Sequence, residues 1–183
     1  MGDPMNIKLL HPEDDEDLFP HLSDLVLEAV EDGASVEFLD DFTRADALRY
    51  WSTQRLNISA GRRAVLAAIQ AGEVIGTISL CLDKPPNQPH ATTLKTMMVR
   101  RNQQRRGIGS ALLAVAEAEA RRLDRWLLLM DTVSGGPAGR LFERAGWEKV
   151  GDIPAMRMMP HGGLAPSTLY FKRLSLLSNQ AVA

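Results

Sequence analysis

Gln104-Arg105-Arg106-Gly107-Ile108-Gly109 is the stretch whose residue types and spacing could do chemistry. It follows a short apolar run (Leu94, Met97, Met98, Val99) of strand length and a wholly polar segment from Arg100 to Arg106. After it, Ile108, Leu112, Leu113, Val115, Ala116 and Ala120 recur at helical spacing. A strand feeding a helix through glycines leaves unpaired N–H groups at the helix start. With the positive end of the helix dipole these make an anion site. Gly107 and Gly109 let the backbone approach a ligand or take positive φ, and Arg105 and Arg106 add charge suited to a diphosphate. An ordinary strand-to-helix turn would look the same in this fragment alone. Two phosphate motifs are excluded. No Lys-Ser/Thr follows the glycines as a P-loop needs, and Leu112 stands where the third glycine of a GxGxxG would be.

Asp131 is the candidate general base. The run from Arg125 to Met130 is nearly continuously apolar, as in a buried central strand, and Asp131 follows it directly at the expected edge of the sheet. A carboxylate capping the following turn explains the same residue. Tyr170, in Ser167–Leu174, is a candidate proton donor, although strand aromatics commonly pack; Tyr50 is a weaker one. The four histidines (His11, His21, His90, His161) lack ligand spacing, so no metal site is expected. The single cysteine, Cys81, excludes an internal disulfide and falls in an apolar strand pattern.

The elements that must position these groups fit one domain over residues 1–183, with a core of about 5–175 and a disordered tail at 176–183. With 45% hydrophobic and 24% charged residues the composition is that of a soluble globular protein. The N-terminal stretch has no secretory pattern, and no apolar run is long enough to span a membrane, so a cytoplasmic protein is expected. Residues 1–50 hold three basic and fourteen acidic residues, a balance of −11, and the remainder 18 and 9, or +9. Such a division suits an anionic cofactor and a cationic acceptor, and equally suits acidic helices with solvated faces. Arginines confined to one loop, under a net charge of −2, argue against nucleic-acid binding.

In chain order, Asn6–Leu10 reads as a strand. Leu18, Leu22, Leu25, Val26 and Val30 then give an amphipathic helix broken at Asp32-Gly33-Ala34. A second helix is expected from about Asp41 to Leu56, packing through Phe42, Ala45, Leu48 and Trp51. Arg63–Ile69 and Glu73–Leu82 form a hairpin about Ala71-Gly72. After the central strand, Pro137 opens a helix ended by Gly146, and Trp147–Val150 begins another strand. Asp152–Pro166, with three prolines and two adjacent glycines, is expected to be a long loop, and Ser167–Leu174 the last strand.

The spacing Gln104-x-x-Gly107-x-Gly109 resembles the acetyl-CoA motif Q/R-x-x-G-x-G/A of the GNAT N-acetyltransferases, with Val99 five residues before it. Arg101 replaces the proline usual after the strand, and Ala138–Trp147 resembles the later A-x-x-L-Y-x-x-x-G-F element of that family. The resemblance implies an α/β GNAT fold, a mixed, mostly antiparallel sheet of about seven strands flanked by about four helices. It implies acetyl-CoA as acetyl donor, with the strand backbone at Met97, Met98 and Val99 pairing with pantetheine. The loop from Gln104 through Arg105, Arg106, Gly107, Ile108 and Gly109 to Ser110 would hold the pyrophosphate. Phe142 stands where many relatives carry a tyrosine proton donor; it cannot donate but would pack against the cofactor. Thr93 and Gly135 replace an acid and an asparagine common among relatives. Asp32-Gly33-Ala34-Ser35-Val36 and Leu129-Met130-Asp131-Thr132 are most similar to the tabtoxin-resistance branch, which acetylates a toxin amine. The resemblance therefore implies transfer of acetyl to a primary amine of a small molecule, and allows a homodimer. The alternative is a CoA-binding module of the same fold without turnover, serving as sensor or partner.

Overall fold

The computed structural model describes residues 3–13 and 15–175, so the expected tail at 176–183 lies outside the described residues. The elements run β1 (Asn6–Leu9), α1 (Leu18–Glu31), α2 (Arg44–Ser59), β2 (Arg63–Gln70), β3 (Glu73–Cys81) and β4 (Ala91–Val99). They continue with α3 (Ile108–Arg122), β5 (Leu127–Val133), α4 (Pro137–Arg144), β6 (Glu148–Met158) and β7 (Leu164–Arg173). One seven-stranded sheet has the order β1-β2-β3-β4-β5-β7-β6. Among the described residues only β4 and β5 run parallel. This is the mixed, mostly antiparallel architecture expected, with four α-helices among the described residues. No helix among the described residues is long and apolar enough to cross a membrane.

Alternation along the strands sends successive side chains to opposite faces. Leu66, Ile78, Leu80, Leu94 and Leu128 lie under α3 and α4, whereas Val65, Ala67, Val74 and Met98 lie under α1 and α2 with Leu22, Val26 and Trp51. The β2–β3 hairpin turns on Ala71 (φ 51) and Gly72 (φ 79), two left-handed residues as a tight hairpin needs. Gly76 is dictated by packing, since a Cβ there would lie 3.0 Å from both the Leu112 side chain and the Met98 carbonyl.

Helix α2 begins at Arg44, three residues later than the expected Asp41, because Thr43 and Asp46 form a reciprocal capping box. Phe42 stays outside the helix and stacks on Phe38 at 4.0 Å between centroids. The buried face carries Ala47, Trp51 and Gln54; Ala45 and Leu48, expected to pack, are exposed.

The expected loop Asp152–Pro166 is largely strand. β6 continues to Met158 and β7 starts at Leu164, so only a tight connection separates them. Its register shifts between Lys149 and Gly151 and again between Ile153 and Arg157, with Ala155 at φ 51. β6 is an edge strand exposed on both faces, so it lacks alternation, and its bulge accommodates Pro154.

Five acids of the N-terminal region pair with cations of the fold. Asp15 meets Lys8, Asp24 meets Arg44, Glu16 meets Arg55, and Glu28 and Asp32 meet Arg100 and Arg101. The acidic balance of residues 1–50 is therefore partly spent on the fold, which weakens it as a sign of a cationic acceptor.

Candidate active site

The parallel pairing of β4 with β5 stops early. Ala91, Thr92 and Thr93 face Leu127, Leu128 and Leu129, and no further partners follow. β4 runs on to Val99 and β5 to Val133, each still paired on its outer side, to β3 and β7. The inner edges beyond Thr93 and Leu129 are therefore unpaired backbone facing a split in the sheet. A bulge in β4 accompanies the divergence: the register passes from Ser79–Lys95 to Thr77–Met98, and Thr96 takes φ 53. Unpaired N–H and C=O groups along two diverging strands can accept an extended amide chain by main-chain hydrogen bonds.

At the end of β4 the chain makes a short 3-10 turn, Arg101–Gln103. The Gln104 side-chain amide then donates to the Val99 carbonyl at 3.1 Å, fixing the loop to the strand. Arg105 (φ 62) and Gly107 (φ 84) are both left-handed, with Gly107 at the N-cap of α3. The first helical bond runs from Ala111 N–H to the Gly107 carbonyl at 3.0 Å, so the preceding amides of Ile108, Gly109 and Ser110 point out of the helix start. Nothing lies within 4 Å of a Cβ built on Gly107, so the space before these amides is open. Arg105 and Arg106 are exposed beside it. The basic run is thus divided, because Arg100 and Arg101 are turned to Glu28 and Asp32 of the α1 end.

Between α3 and α4 a groove of about 300 Å³ begins at Ser110 and is lined by Leu113, Ala114, Leu141, Arg144 and Lys172, with Glu117 and Ala145. A Cβ on Gly109 would meet the ends of Leu141 and Met97, each at 3.3 Å, so these side chains close over the helix start. Leu141 was not among the expected site residues. Its place in the Ala138–Trp147 element was the available signal.

On the α1/α2 face of the split, the row of charges crosses four segments. Glu37, in the α1–α2 connection, pairs with Lys95 of β4; Asp131 of β5 pairs with Arg157 of β6. Lys95 and Asp131 stand two residues beyond the last paired positions of their strands. Burial disfavours the Lys95 ammonium, but its hydrogen bond and attraction to Glu37, with smaller help from Cys81 and Asp131, raise its pKa above the usual lysine value. Arg157 Nε also donates to the buried Ser167 hydroxyl at 2.8 Å. At the β4 bulge the Thr96 and Tyr50 hydroxyls are 3.2 Å apart, and Arg63 donates to Tyr50 at 3.0 Å.

Several expected residues land elsewhere. Asp131 lies within β5, paired with Leu169, rather than after the strand, and its carboxylate is engaged by Arg157. Phe142 is wholly buried between Trp147 and Tyr170, so its side chain is core and not a cofactor contact. Tyr170 is also core: its hydroxyl donates to Glu143 of α4 at 3.0 Å, beneath Gly139. Burial first, then the Glu143 carboxylate, pushes the Tyr170 pKa up, so it holds its proton there. Its strand partner Met130 packs against the same core, on the face opposite Asp131. Of the two tyrosines, Tyr50 is the one that reaches the β4 edge. The Ile108 and Met98 side chains are buried in the two cores, leaving only their backbone for a ligand, whereas Met97 reaches the mouth.

Residues 26–147 match the model of the acetyltransferase (GNAT) family. The chain belongs to this family. Among solved structures, this GNAT chain is similar to ribosomal-protein-alanine N-acetyltransferase from Brucella melitensis, at 23% identity over 92% of this chain and 99% of that one, with a TM-score of 0.76. A Salmonella typhimurium protein assigned as an acetyltransferase and solved with its cofactor acetyl-CoA shares 18% identity over 98% and 99%, with a TM-score of 0.75. A protein assigned as a phosphinothricin N-acetyltransferase shares 17% over 94% and 99%, with a TM-score of 0.74. At these identities the likeness is one of fold. The family uses acetyl-CoA, and the open amides at Gly107–Ser110 together with the unpaired edges of the split fit a diphosphate joined to an extended amide arm.

Proposed function

We propose that this GNAT chain is an acetyl-CoA-dependent N-acetyltransferase acting on a primary amine of a small molecule, the two substrates meeting in one ternary complex. The observation that carries the reading is the sheet split at Thr93/Leu129, because the unpaired strand edges there lie beside two ion pairs, Glu37–Lys95 and Asp131–Arg157. When bound, acetyl-CoA supplies the thioester acetyl group: the amine's C–N bond forms as the C–S bond breaks, the amine loses a proton and the thiol leaves protonated.

The chain's own residues divide that work. The amides of Ile108, Gly109 and Ser110, with Arg105 and Arg106, hold the diphosphate, and the β4 edge at Met97–Val99 aligns the arm. Asp131 receives the acceptor amine and takes its proton. Tyr50, at the β4 bulge beside Arg63, is the hydroxyl placed to return a proton on the β4 side. The resistance-type role rests on the resemblance of the Asp32–Val36 segment to the tabtoxin-resistance branch. A cytoplasmic setting and one catalytic unit over the whole chain accompany the proposal. Release of free CoA thiol from acetyl-CoA, measured against a panel of small amines including β-lactam amino acids, tests it. Amine-dependent release supports the enzyme; acetyl-CoA binding without release from any amine supports a CoA-binding sensor instead.

A further inference from the structure

The four charges across the wide end of the split are not a surface decoration. Glu37, Lys95, Asp131 and Arg157 come from the α1–α2 connection, β4, β5 and β6, and they alternate in sign. The Arg157 and Asp131 side chains are only 19% and 21% exposed, so this pair is partly withdrawn from water at a cost that a purely structural pair would not repay well. Arg157 is held in place from behind, because its Nε donates to the buried Ser167 hydroxyl at 2.8 Å. That bond leaves the Nη end of the guanidinium to Asp131, to which Nη2 donates. The sheet ladder places Asp131 beside the break in pairing, on the face opposite the α3/α4 core.

Resting on the N-acetyltransferase reading above, we infer that the acceptor is a free amino acid, its amine received by Asp131 and its carboxylate by the Nη end of Arg157. An ammonium and a carboxylate on one molecule can insert into the Asp131–Arg157 pair without leaving either charge unpartnered. A simple amine would displace Arg157 from Asp131 and offer it nothing. The planar guanidinium end matches a carboxylate by two parallel N–H donors. Lys95, on the other side of Asp131, is held by Glu37 as its own partner, which leaves the Asp131 carboxylate to Arg157 and the incoming ammonium. Arg157 is thus the residue that sets acceptor class.

The test uses the full chain with saturating acetyl-CoA and compares proteinogenic L-amino acids with their methyl esters and with the corresponding decarboxylated amines. Free amino acids are expected to give kcat/KM at least about 10-fold above the esters, the worth of one charge-assisted pair. Arg157→Gln should remove that preference through KM for the acids alone, leave acetyl-CoA affinity unchanged, and be partly reversed by Arg157→Lys. Equal or better turnover of esters or decarboxylated amines overturns the inference while leaving the N-acetyltransferase reading intact. If no amine turns over, calorimetry of the same compounds on the CoA-saturated protein decides it. Binding of acids about 10-fold tighter than esters, lost in Arg157→Gln, supports the clamp. Absent or indiscriminate binding overturns it.

Discussion

Replacing Gly107 by alanine separates the cofactor loop from the fold that carries it. Gly107 has φ 84 and ψ −3, a left-handed N-cap, and no atom lies within 4 Å of the position its Cβ would take. The new methyl group therefore meets nothing in the protein, and the cost lies in the backbone. An L-residue loses about 1–2 kcal/mol there, and reduced freedom of the unfolded chain returns about 0.4–1 kcal/mol. A net loss of about 1 kcal/mol lowers Tm by roughly 2–4 °C in a domain of this size. Gly61 supplies the control, since it has φ 66 and is likewise open within 4 Å, but it sits between α2 and β2. Both alanine variants should melt earlier by similar amounts. Only Gly107→Ala should weaken acetyl-CoA, by 10-fold or more in calorimetry, because its methyl group occupies the approach to the Ile108–Ser110 amides and each charge-assisted bond there is worth about 1.5–3 kcal/mol. Equal acetyl-CoA affinity in the two variants would refute the placement of the diphosphate.

Asp131→Asn should lower kcat by roughly 10²–10⁴-fold, as for loss of a general base, while acetyl-CoA affinity measured by calorimetry stays near that of the parent. Undiminished turnover would remove Asp131 from the chemistry. Tyr50→Phe should reduce kcat and cost about 1 kcal/mol from its lost bonds to Arg63 and Thr96, whereas Tyr170→Phe should retain kcat and cost about 1 kcal/mol from the lost bond to Glu143, both read by denaturant melting. The reverse pattern would exchange their roles. Asp46 is held down to about 2 from 3.8 by the Thr43 side chain, then by the Thr43 backbone N–H and Arg49. A depressed carboxylate stabilises the fold above its unfolded pKa and loses that contribution as pH falls through the folded value. Asp46→Asn should therefore lower Tm at neutral pH, and the difference from the parent should shrink between about pH 4 and pH 2. A difference that persists unchanged at pH 2 would place its origin elsewhere.

The loop from Gln104 to Gly109 was legible because its meaning is local: glycines, a flanking strand and a flanking helix sit in one continuous stretch. The β2–β3 hairpin and Pro137 at the start of α4 were legible for the same reason. β6 was not. Exposed on both faces at the sheet edge, it shows no period of two, and Pro154 beside a bulge mimics a loop. The start of α2 was misplaced because Asp41 and Phe42 extend the helical pattern backwards, although the local Thr43-x-x-Asp46 capping signal that begins the helix was there to be read. Arg157 was invisible as a site residue for a related reason. Its partner Asp131 lies 26 residues earlier, and only the ladder β5-β7-β6 brings them together. Phe142 and Tyr170 carried plausible positions in a familiar pattern, yet which face of α4 and β7 they occupy is settled by packing on Trp147 and Glu143.

Release of free CoA thiol by the full chain, with saturating acetyl-CoA and a panel of small primary amines, tests the central claim most directly. The account predicts release that requires an amine and matches the acetylated product mole for mole. Thiol release that ignores the amine, or none from any amine despite tight acetyl-CoA binding, would contradict it.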